Sequence, residues 1–584
     1  MGRVGDERSW ATRTARIAAD IYVGVRDAMG TSPDRTRAFA GCALMIVGVA
    51  LLAVAALADS YLHRGIETGA DLPVVVQPTG DDPATNVDLT LYPEDERARV
   101  ADALRESGFV YVRQPFSWRE IEPRQGQFNW APYDAIVTEL NRQNIILIAV
   151  ARDAPAWART EASGDAIDAA PSDPAAFGAF VEALTSRYTD KVPFVQLWEA
   201  PNDPAYWGGK VASAADFLPL LAAGFNAANT GSPSTKVILS ELAISPPEPG
   251  AQSDLEFLEA LYEMDADDFF DVVALRLEGG QTSPDDRRVS PERVNLSRAI
   301  LVRDLMVRMG DQPTAVWATS FGWPTTATVT PDDQAAFVAE AIDRSRREWP
   351  WMGLMIHTAF VAEAGGTTAS YAMVDAEGRA TPLYYRLTDE EMLNLTEVAN
   401  TGFTPTDGGS VTYEGNWRDQ HLEGRTFKTI SQTQSTASIT FRGTGLIAFL
   451  RFGPESGDVR VTLDGQPIAG GAGRDGLAWE LQAFSTIDLP LTLISNLDDS
   501  VHRLTITLIS EGELTLGGLV VVRDVPFVWP VELLAAAAVI TLALAVRSIL
   551  YLVAVRSGQL QGRSGIDLWP QLPQLPDWRP SRRL

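Results

Sequence analysis

The sequence predicts an α/β fold: a (β/α)8 (TIM) barrel, followed by an antiparallel β-sandwich and flanked by two transmembrane helices. Three observations predict it. Eight short β-branched runs alternate with helical periods, runs of alternating Thr-, Ser- and Gly-rich sequence follow them, and a long apolar segment lies toward each end. Because the chain has 584 residues, we expect more than one hydrophobic core.

The eight predicted strands of the barrel are short and separated by amphipathic helical stretches. The barrel is expected to cover residues 86–396, after a linker over residues 59–85. A doubly wound open sheet is the alternative, but no Gly-rich phosphate loop follows any early strand. The predicted strands span residues 87–92, 109–113, 145–151, 194–198, 236–240, 270–276, 315–319 and 353–360.

Residues 397–524 differ in composition and alternate with a period of two, which is typical of an antiparallel sandwich. Asp464-Gly465 directly after an alternating run predicts a hairpin turn. The segments 441–445 and 461–465 resemble sandwich modules that accompany extracellular carbohydrate-active enzymes, so this domain is a candidate carbohydrate-binding module.

Two apolar segments are long enough to cross a hydrocarbon core of roughly 30 Å. Residues 38–58 contain no charge, and residues 525–555 are interrupted only by Glu532 and Arg547, which can reach the two interfaces. A cleavable signal peptide ending near residue 58 is the alternative for the first segment. The 37 residues before it are unusually long for such a peptide, so we favour an uncleaved anchor.

The distribution of arginine predicts the orientation of these segments. Seven Arg precede the first segment and five follow the second, so both termini are expected in the cytoplasm. Residues 1–37 then form a cytoplasmic N-terminal segment and residues 556–584 a cytoplasmic Pro-rich tail. The predicted localisation is a multi-pass protein of the cell membrane with a large extracytoplasmic region.

Composition excludes several function classes. A formal net charge of −28 argues against nucleic acid as a partner, because its phosphates would be repelled. The single cysteine, Cys42, rules out an intramolecular disulfide and a cysteine-based zinc site. The four His are scattered, which argues against a histidine metal cluster. No metal or cofactor is implied, although some sandwich modules of the kind that residues 441–465 resemble hold calcium.

Five motifs occur in order along the predicted barrel. Residues 116–123 (FSWREIEP) precede residues 126–130 (GQFNW), and Ala154-Pro155-Ala156-Trp157 follows the third strand. Residues 195–202 (VQLWEAPN) and 315–323 (AVWATSFGW) complete the set. Together they resemble the clan of (β/α)8-barrel retaining glycoside hydrolases, the cellulase/β-xylosidase-like superfamily.

The resemblance implies that both catalytic glutamates of the clan are substituted. Its glutamate positions on strands four and seven hold Ala200 and Ser320. Alanine transfers no proton, and Ser320 has no nearby His in the sequence to activate it. The catalytic residues are therefore unknown. Glu199, Glu241 and Glu278 are the fallback candidates, because they follow barrel strands at the end that carries active sites.

The resemblance also implies five substrate-binding residues. Arg113 would line the sugar site, and Asn202 belongs to the fourth motif. Trp157, Trp207 and Trp323 fall on loops where indoles could stack on sugar rings, although tryptophan is also a common core residue.

Three functional hypotheses follow. The first is a catalytically degenerate, membrane-anchored protein that binds or organises cell-surface glycan. The second is an active glycosidase with relocated carboxylates. The third is an assembly or structural subunit that contacts another envelope protein.

Overall fold

The computed structural model describes residues 33–70, 83–159, 169–244, 251–362, 366, 368–389, 392, 397–407, 409–422, 425–470, 476–525 and 529–556. The predictions for residues 1–32 and for the tail from residue 557 lie outside the described residues. The chain divides into two compact units, Met1–Arg64 with Pro526–Leu584, and Gly65–Val525.

The first unit contains two long apolar helices, α1 (Pro33–Leu62) and α11 (Trp529–Arg556). Their apolar spans, Ala40–Leu62 and Val531–Leu550, are long enough to cross a membrane. Gly41 lies against Ser548 and Gly48 against Leu542, so the two helices pack antiparallel. A Cβ at Gly48 would come within 2.7 Å of the Leu542 side chain, so the absence of a side chain there allows the close approach.

The second unit begins with a closed barrel of eight parallel strands, which confirms the predicted fold class. Each strand pairs with its neighbour in sequence, and the first pairs with the eighth. The strands are β1 (Ala84–Asn86), β2 (Tyr111–Ser117), β3 (Ile146–Arg152), β4 (Phe194–Leu197), β5 (Lys236–Ile238), β6 (Val272–Glu278), β7 (Ala315–Gly322) and β8 (Met352–His357).

The prediction of the first strand was wrong. Residues 87–92 lie after β1 and contain a 3₁₀ turn over Leu89–Leu91. The Asp88 side chain accepts hydrogen bonds from Thr90 N at 3.0 Å and from Thr90 Oγ1 at 2.6 Å. These local hydrogen bonds to the Asp88 side chain compete with the backbone hydrogen bonds of a sheet. The β-branched residues after Asn86 therefore form a turn and do not continue β1.

The barrel helices follow the strands, and their starts are capped as the sequence suggests. Ser213, Ser253 and Thr330 each form a capping box, which satisfies free backbone N–H groups at a helix start. The helices are α2 (Glu94–Glu106), α3 (Trp118–Ile121), α4 (Ala131–Arg142), α5 (Pro174–Arg187), α6 (Ala214–Gly231), α7 (Asp254–Tyr262), α8 (Ala299–Met309), α9 (Pro331–Glu348) and α10 (Pro382–Leu387).

The motifs at residues 116–130 build the barrel wall. Trp118, Phe180, Trp130 and Phe128 form a column of nearly parallel rings, with successive centroids 5.4, 6.3 and 5.5 Å apart. The buried Glu122 carboxylate accepts hydrogen bonds from Trp118 Nε1 at 2.8 Å and from Gly126 N at 2.7 Å. These residues therefore hold the β2–α4 connection against the outer helices.

The second part of this unit is a sandwich of two antiparallel sheets. Its strands are β9 (Gly402–Thr404), β10 (Val411–Glu414), β11 (Arg418–Leu422), β12 (Arg425–Ile430), β13 (Thr436–Gly443), β14 (Gly445–Phe452), β15 (Val459–Leu463), β16 (Gln466–Pro467), β17 (Ala478–Trp479), β18 (Ile487–Ile494), β19 (Ser500–Leu508) and β20 (Leu514–Val522). The first sheet has the strand order β10-β13-β19-β15-β16 with β17 beside β15, and the second has the order β11-β12-β20-β14-β18 with β9 beside β20.

The predicted hairpin at Asp464-Gly465 is confirmed. These two residues connect β15 to β16, and their φ angles are +51° and +79°. Positive φ at both central residues is the requirement of a tight type I′ turn, which asparagine, aspartate and glycine tolerate.

Residues 65–70, which were predicted to be part of a linker, form hydrogen bonds with both the barrel and the sandwich. Glu67 N donates to Glu348 O at 3.0 Å, and the Glu67 carboxylate lies 3.0 Å from Arg303 Nε. On the sandwich side, Arg523 N donates to Thr68 O at 2.9 Å. Since Arg346 Nη2 also donates to Val398 O at 2.8 Å, barrel and sandwich are joined at the end of α9.

Candidate functional site

A cavity of about 550 Å³ opens where the barrel strands end at their carboxyl sides. In a (β/α)8 barrel this end carries the active site. Its described lining is mostly polar and includes charged side chains of both signs, tyrosines and one serine: Asp88, Tyr92, Arg113, Arg152, Glu199, Tyr206, Glu241, Arg276, Glu278, Ser320 and Tyr371.

Glu241 lies on the cavity floor, three residues after β5. Its side chain is 1% exposed. Arg276 Nη2 donates to Oε1 at 2.8 Å, while Thr319 Oγ1 and Ser320 Oγ donate to Oε2 at 2.9 and 2.8 Å. Arg113 Nη2 lies 3.8 Å from Oε2. The carboxylate is therefore held by two hydroxyls and compensated by two guanidinium groups.

An irregularity in β7 explains how two consecutive hydroxyls reach one oxygen. In a regular strand, neighbouring side chains point to opposite faces. Here Leu275 pairs with Ala318 and Arg276 with Ser320, so Thr319 is skipped in the ladder. This bulge turns both Thr319 and Ser320 toward Glu241.

The surroundings of Glu241 keep it ionised. Burial by itself raises the pKa of a carboxyl group, but the charges of Arg276 and Arg113 and the hydrogen bonds from Arg276 and Ser320 outweigh it. The pKa of Glu241 is therefore lowered below its ordinary value. The same pairing raises the pKa of Arg276 against the opposing effect of burial.

Arg113, predicted from the sequence as a binding residue, lines the cavity at the end of β2. Its Nε donates to Gln196 Oε1 at 3.0 Å and its Nη1 to Asn86 Oδ1 at 2.7 Å. Among the described residues, its third nitrogen, Nη2, has no hydrogen-bond acceptor. The side chain is thus fixed by neighbouring strands and faces Glu241.

Glu199 also lines the cavity, whereas Ala200 is fully buried beside it. β4 ends at Leu197, and the backbone of Trp198 and Ala200 has φ angles of +68° and +39°. In such a turn, successive side chains do not alternate between two faces as they do in a strand, so the position of Glu199 does not follow from that of Ala200. Glu199 pairs with Arg152 at 2.5 Å, and Ala200 N donates to Glu241 O at 3.0 Å.

Glu278 ends β6 and completes the set of fallback carboxylates in the cavity. The Tyr371 hydroxyl is hydrogen bonded to it, and burial together with the charge of Glu278 raises the pKa of Tyr371. Burial and the charge of Glu199 raise the pKa of Tyr206. The charge of Arg276 lowers this pKa and the charge of Glu241 raises it, with a net shift upward. Both phenols therefore stay protonated and can donate hydrogen bonds at neutral pH.

The structure brings together Arg113, Glu199, Glu241, Glu278 and Ser320, but the described lining of the cavity contains no tryptophan. Trp323 is fully buried against Gly279, and its Nε1 donates to Thr282 O at 2.8 Å.

Trp157 and Trp207 are half-buried in packing contacts. Trp157 Nε1 donates to Glu122 O at 2.9 Å, and its ring meets Trp118 edge-on. The Trp207 ring meets those of Trp198 and Phe217 edge-on.

Asn202 lies outside the described lining of the cavity and holds a loop together. It is fully buried. Its Nδ2 donates to Ala243 O at 2.7 Å and to Gln252 O at 3.1 Å, while its Oδ1 accepts from Ala243 N at 2.8 Å. These bonds fix the chain directly after Glu241.

Several cavity residues were not predicted from the sequence, among them Arg152, Tyr206 and Tyr371. Arg152 is the last residue of β3, so the rule that barrel sites lie at strand ends could have found it. The two tyrosines end short 3₁₀ turns in the loops, over Pro204–Tyr206 and Ala369–Tyr371, and carried no local signal. Within the described residues, no group of three acidic, His or Cys side chains could hold a metal ion.

Comparison with known proteins points to the same fold. The sequence profile of a family described as beta-galactosidase, of glycoside hydrolase family 42, matches residues 90–169. The described residues of the matched segment belong to the closed eight-stranded barrel. No curated protein matches the sequence.

Solved structures similar to this chain include three glycoside hydrolases. A family 39 glycoside hydrolase from Bacteroides cellulosilyticus WH2 is 15% identical, with a TM-score of 0.44 over 73% of this chain and 81% of that one. A glucosidase from Croceicoccus marinus is 14% identical, with a TM-score of 0.41 over 76% and 98%. Xylanase 10B from Thermotoga maritima is 13% identical, with a TM-score of 0.38 over 54% and 94%.

Proposed function

We propose that this protein is a membrane-anchored, extracytoplasmic glycan-binding protein whose glycoside-hydrolase-like barrel does not hydrolyse glycosidic bonds. The observation that carries this proposal is the state of Glu241. Its carboxylate accepts a hydrogen bond from Ser320, is 1% exposed and is compensated by Arg276 and Arg113.

Hydrolysis with retention needs two carboxyl groups that reach the substrate, one as nucleophile and one as acid and base. Ala200 and Ser320 supply neither. Glu241 would have to leave two arginines to attack a sugar, and its lowered pKa makes it a poor proton donor. Glu199 is tied to Arg152 at 2.5 Å. Glu278 is hydrogen bonded to the Tyr371 hydroxyl, and one remaining carboxyl group does not make the pair that this reaction needs. The described residues of the cavity therefore offer no available pair of acid and nucleophile.

Binding of a glycan is supported by the size and chemistry of the cavity. About 550 Å³ falls within the range of small-ligand sites. Arginine, glutamate and tyrosine side chains offer donors and acceptors for sugar hydroxyls. The proteins to which the chain is similar are named as a beta-galactosidase family, a glucosidase and a xylanase, which supports a sugar as the ligand.

The antiparallel pair α1 and α11 supports the proposed membrane anchor. Two spans in opposite directions put both termini on one side of a bilayer, and the flanking arginines favour the cytoplasm for that side. Residues 65–525 would then lie outside.

The test uses the full chain in lipid nanodiscs. Binding is measured on a glycan array, and hydrolysis is measured as the release of reducing ends from polysaccharides and aryl-glycosides. We expect binding to at least one glycan class and no release. Turnover that disappears in Glu241→Gln or Glu199→Gln would contradict the proposal and establish an active glycosidase with relocated carboxylates. Neither binding nor turnover would favour the third hypothesis, an envelope assembly subunit.

A further inference from the structure

We infer that His502 works as a pH-dependent clamp at one end of the sandwich, which holds the loop over residues 495–499 only while the imidazole ring is protonated. This loop runs from β18 to β19, which belong to different sheets, so it is a crossing between them. The clamp consists of His502 together with Asp464, Asp498 and Ser500. It lies outside the barrel and would operate whether or not the cavity binds a glycan.

Both ring nitrogens of His502 face groups that accept hydrogen bonds. Nδ1 lies 3.0 Å from Oδ2 of Asp464, which is in the turn between β15 and β16. Nε2 lies 3.0 Å from the carbonyl oxygen of Asp498, which is in the loop. An ionised carboxylate and a carbonyl oxygen only accept, so the ring can donate to both of them only when each nitrogen carries a proton. The imidazolium form therefore ties the loop to the turn.

The neutral ring has a competing partner on its own strand. Ser500, the first residue of β19, places its Oγ 3.0 Å from Nε2 of His502. A neutral ring that keeps its proton on Nδ1 for Asp464 has a lone pair at Nε2, which accepts from the Ser500 hydroxyl and no longer donates to Asp498 O. Loss of one proton thus exchanges a hydrogen bond to the loop for one within β19, and the loop is released.

The residues of the clamp favour the protonated form. Burial by itself lowers the pKa of His502, but the hydrogen bonds to Asp464 and Asp498 and the charges of these two residues outweigh it. The pKa of His502 is therefore raised above its ordinary value. A histidine in this position changes its charge close to neutral pH, where a change of pH in the surroundings can operate the clamp.

The neighbouring strands add no positive charge on the side of the ring. Arg503 is the next residue of β19, and Arg442 of β13 pairs with Val501, so the side chains of both arginines belong to the other face of the sheet. On the face of the ring, β13 presents Phe441, with 5.8 Å between the two ring centroids. The charges that dominate at the ring are therefore those of the two aspartates of the clamp.

The clamped loop is also connected to the place where the linker meets the sandwich. Leu497 N donates to Thr444 O at 2.8 Å, and Asp499 Oδ2 lies 2.8 Å from Arg523 Nη2. The backbone N of Arg523 in turn donates to Thr68 O at 2.9 Å. Since the proposed topology places these residues outside the membrane, the clamp would respond to the pH on that side.

The first test measures the pKa of His502 in the full chain in nanodiscs, from the pH dependence of deuterium exchange at the imidazole Cε1–H, followed by mass spectrometry. We expect a pKa above about 6.5, the value of an unperturbed histidine. In Asp464→Asn the pKa should fall, because the charge is removed while asparagine still tolerates the positive φ of the turn. A pKa at or below about 6.5 in the unsubstituted chain would overturn the inference, whether or not the variant folds.

The second test measures release of the loop by amide hydrogen exchange of residues 495–500, corrected for the intrinsic effect of pH. Protection should fall several-fold as the pH rises through the pKa of His502, because the clamp is closed below that pKa and open above it. His502→Gln should show the low protection at every pH. The control His421→Gln replaces an exposed histidine of β11 and should keep the pH dependence. Protection that is the same at every pH in the unsubstituted chain would show a purely structural histidine and overturn the inference.

Discussion

Ser320 Oγ donates a 2.8 Å hydrogen bond to Oε2 of Glu241, so a carboxylate from the loop after β5 reaches β7 at the position where the resemblance places a catalytic glutamate. A negative charge therefore lies near that position, but the residue that carries it, Glu241, belongs to the loop after β5. The same carboxylate also accepts hydrogen bonds from Thr319 and Arg276. In the proposed function its charge therefore stabilises the barrel and does not take part in hydrolysis.

The first prediction concerns this charge. Glu241→Gln leaves the buried Arg113 and the partly exposed Arg276 without their counter-charge, so we expect the free energy of unfolding to fall, by about 3 kcal/mol. Thermal unfolding of the full chain in nanodiscs measures the change. Ser320→Ala, which removes one hydrogen bond to the carboxylate, should cost less, about 1.5–3 kcal/mol. Equal stability of Glu241→Gln and the unsubstituted protein would show that the cluster contributes nothing to folding.

The second prediction concerns pH. The pKa of Glu241 is lower in the folded protein than in the unfolded chain, where a glutamate has a pKa of about 4.3. Its stabilisation is therefore fully present above that value and is lost as pH falls toward the folded-state pKa. Unfolding midpoints measured between about pH 2 and 7 should fall on the acid side. In Arg276→Met the folded-state pKa rises, so this variant should show a weaker pH dependence from this site; an identical profile would contradict the assignment.

The third prediction separates packing from sugar stacking at Trp323. Its indole is fully buried, so Trp323→Ala should cost about 3–5 kcal/mol of stability. Gly279→Ala provides a second variant, because a Cβ there would lie 1.7 Å from the Trp323 ring and should also destabilise the fold. Lost glycan binding with unchanged unfolding temperature in Trp323→Phe would instead favour the stacking role expected from the resemblance.

The fourth prediction concerns topology. Cys42 is the only cysteine, so Cys42→Ser gives a background for site-specific labelling. Phe484 is fully exposed on the sandwich, and Phe484→Cys should react in intact cells with a maleimide that does not cross membranes. Ser9→Cys should react only after the cells are permeabilised, because residues 1–37 are predicted to be cytoplasmic. The reverse pattern would invert the predicted orientation.

The architecture could be predicted because it depends on periodicity. Eight buried strands alternate with amphipathic helices, and the sandwich alternates with a period of two, so both patterns are visible in the sequence. The first strand was misplaced because Asp88 caps a turn within a β-branched run. A side-chain hydrogen bond of this kind leaves the hydrophobic pattern unchanged.

The site was predicted in part. The three fallback glutamates and Arg113 do meet in one cavity, since all follow or end barrel strands. Their pairing could not be predicted, because it depends on the positive φ angles of Trp198 and Ala200 and on the bulge at Thr319. Neither feature has a glycine or another local marker in the sequence.

The hydrogen bond from Arg523 N to Thr68 O joins the first and last segments of the unit Gly65–Val525. A domain whose two ends lie close together can be inserted between two neighbouring segments of a chain without moving those segments apart. The hydrogen bond between Arg523 N and Thr68 O therefore holds the two ends of this unit next to each other.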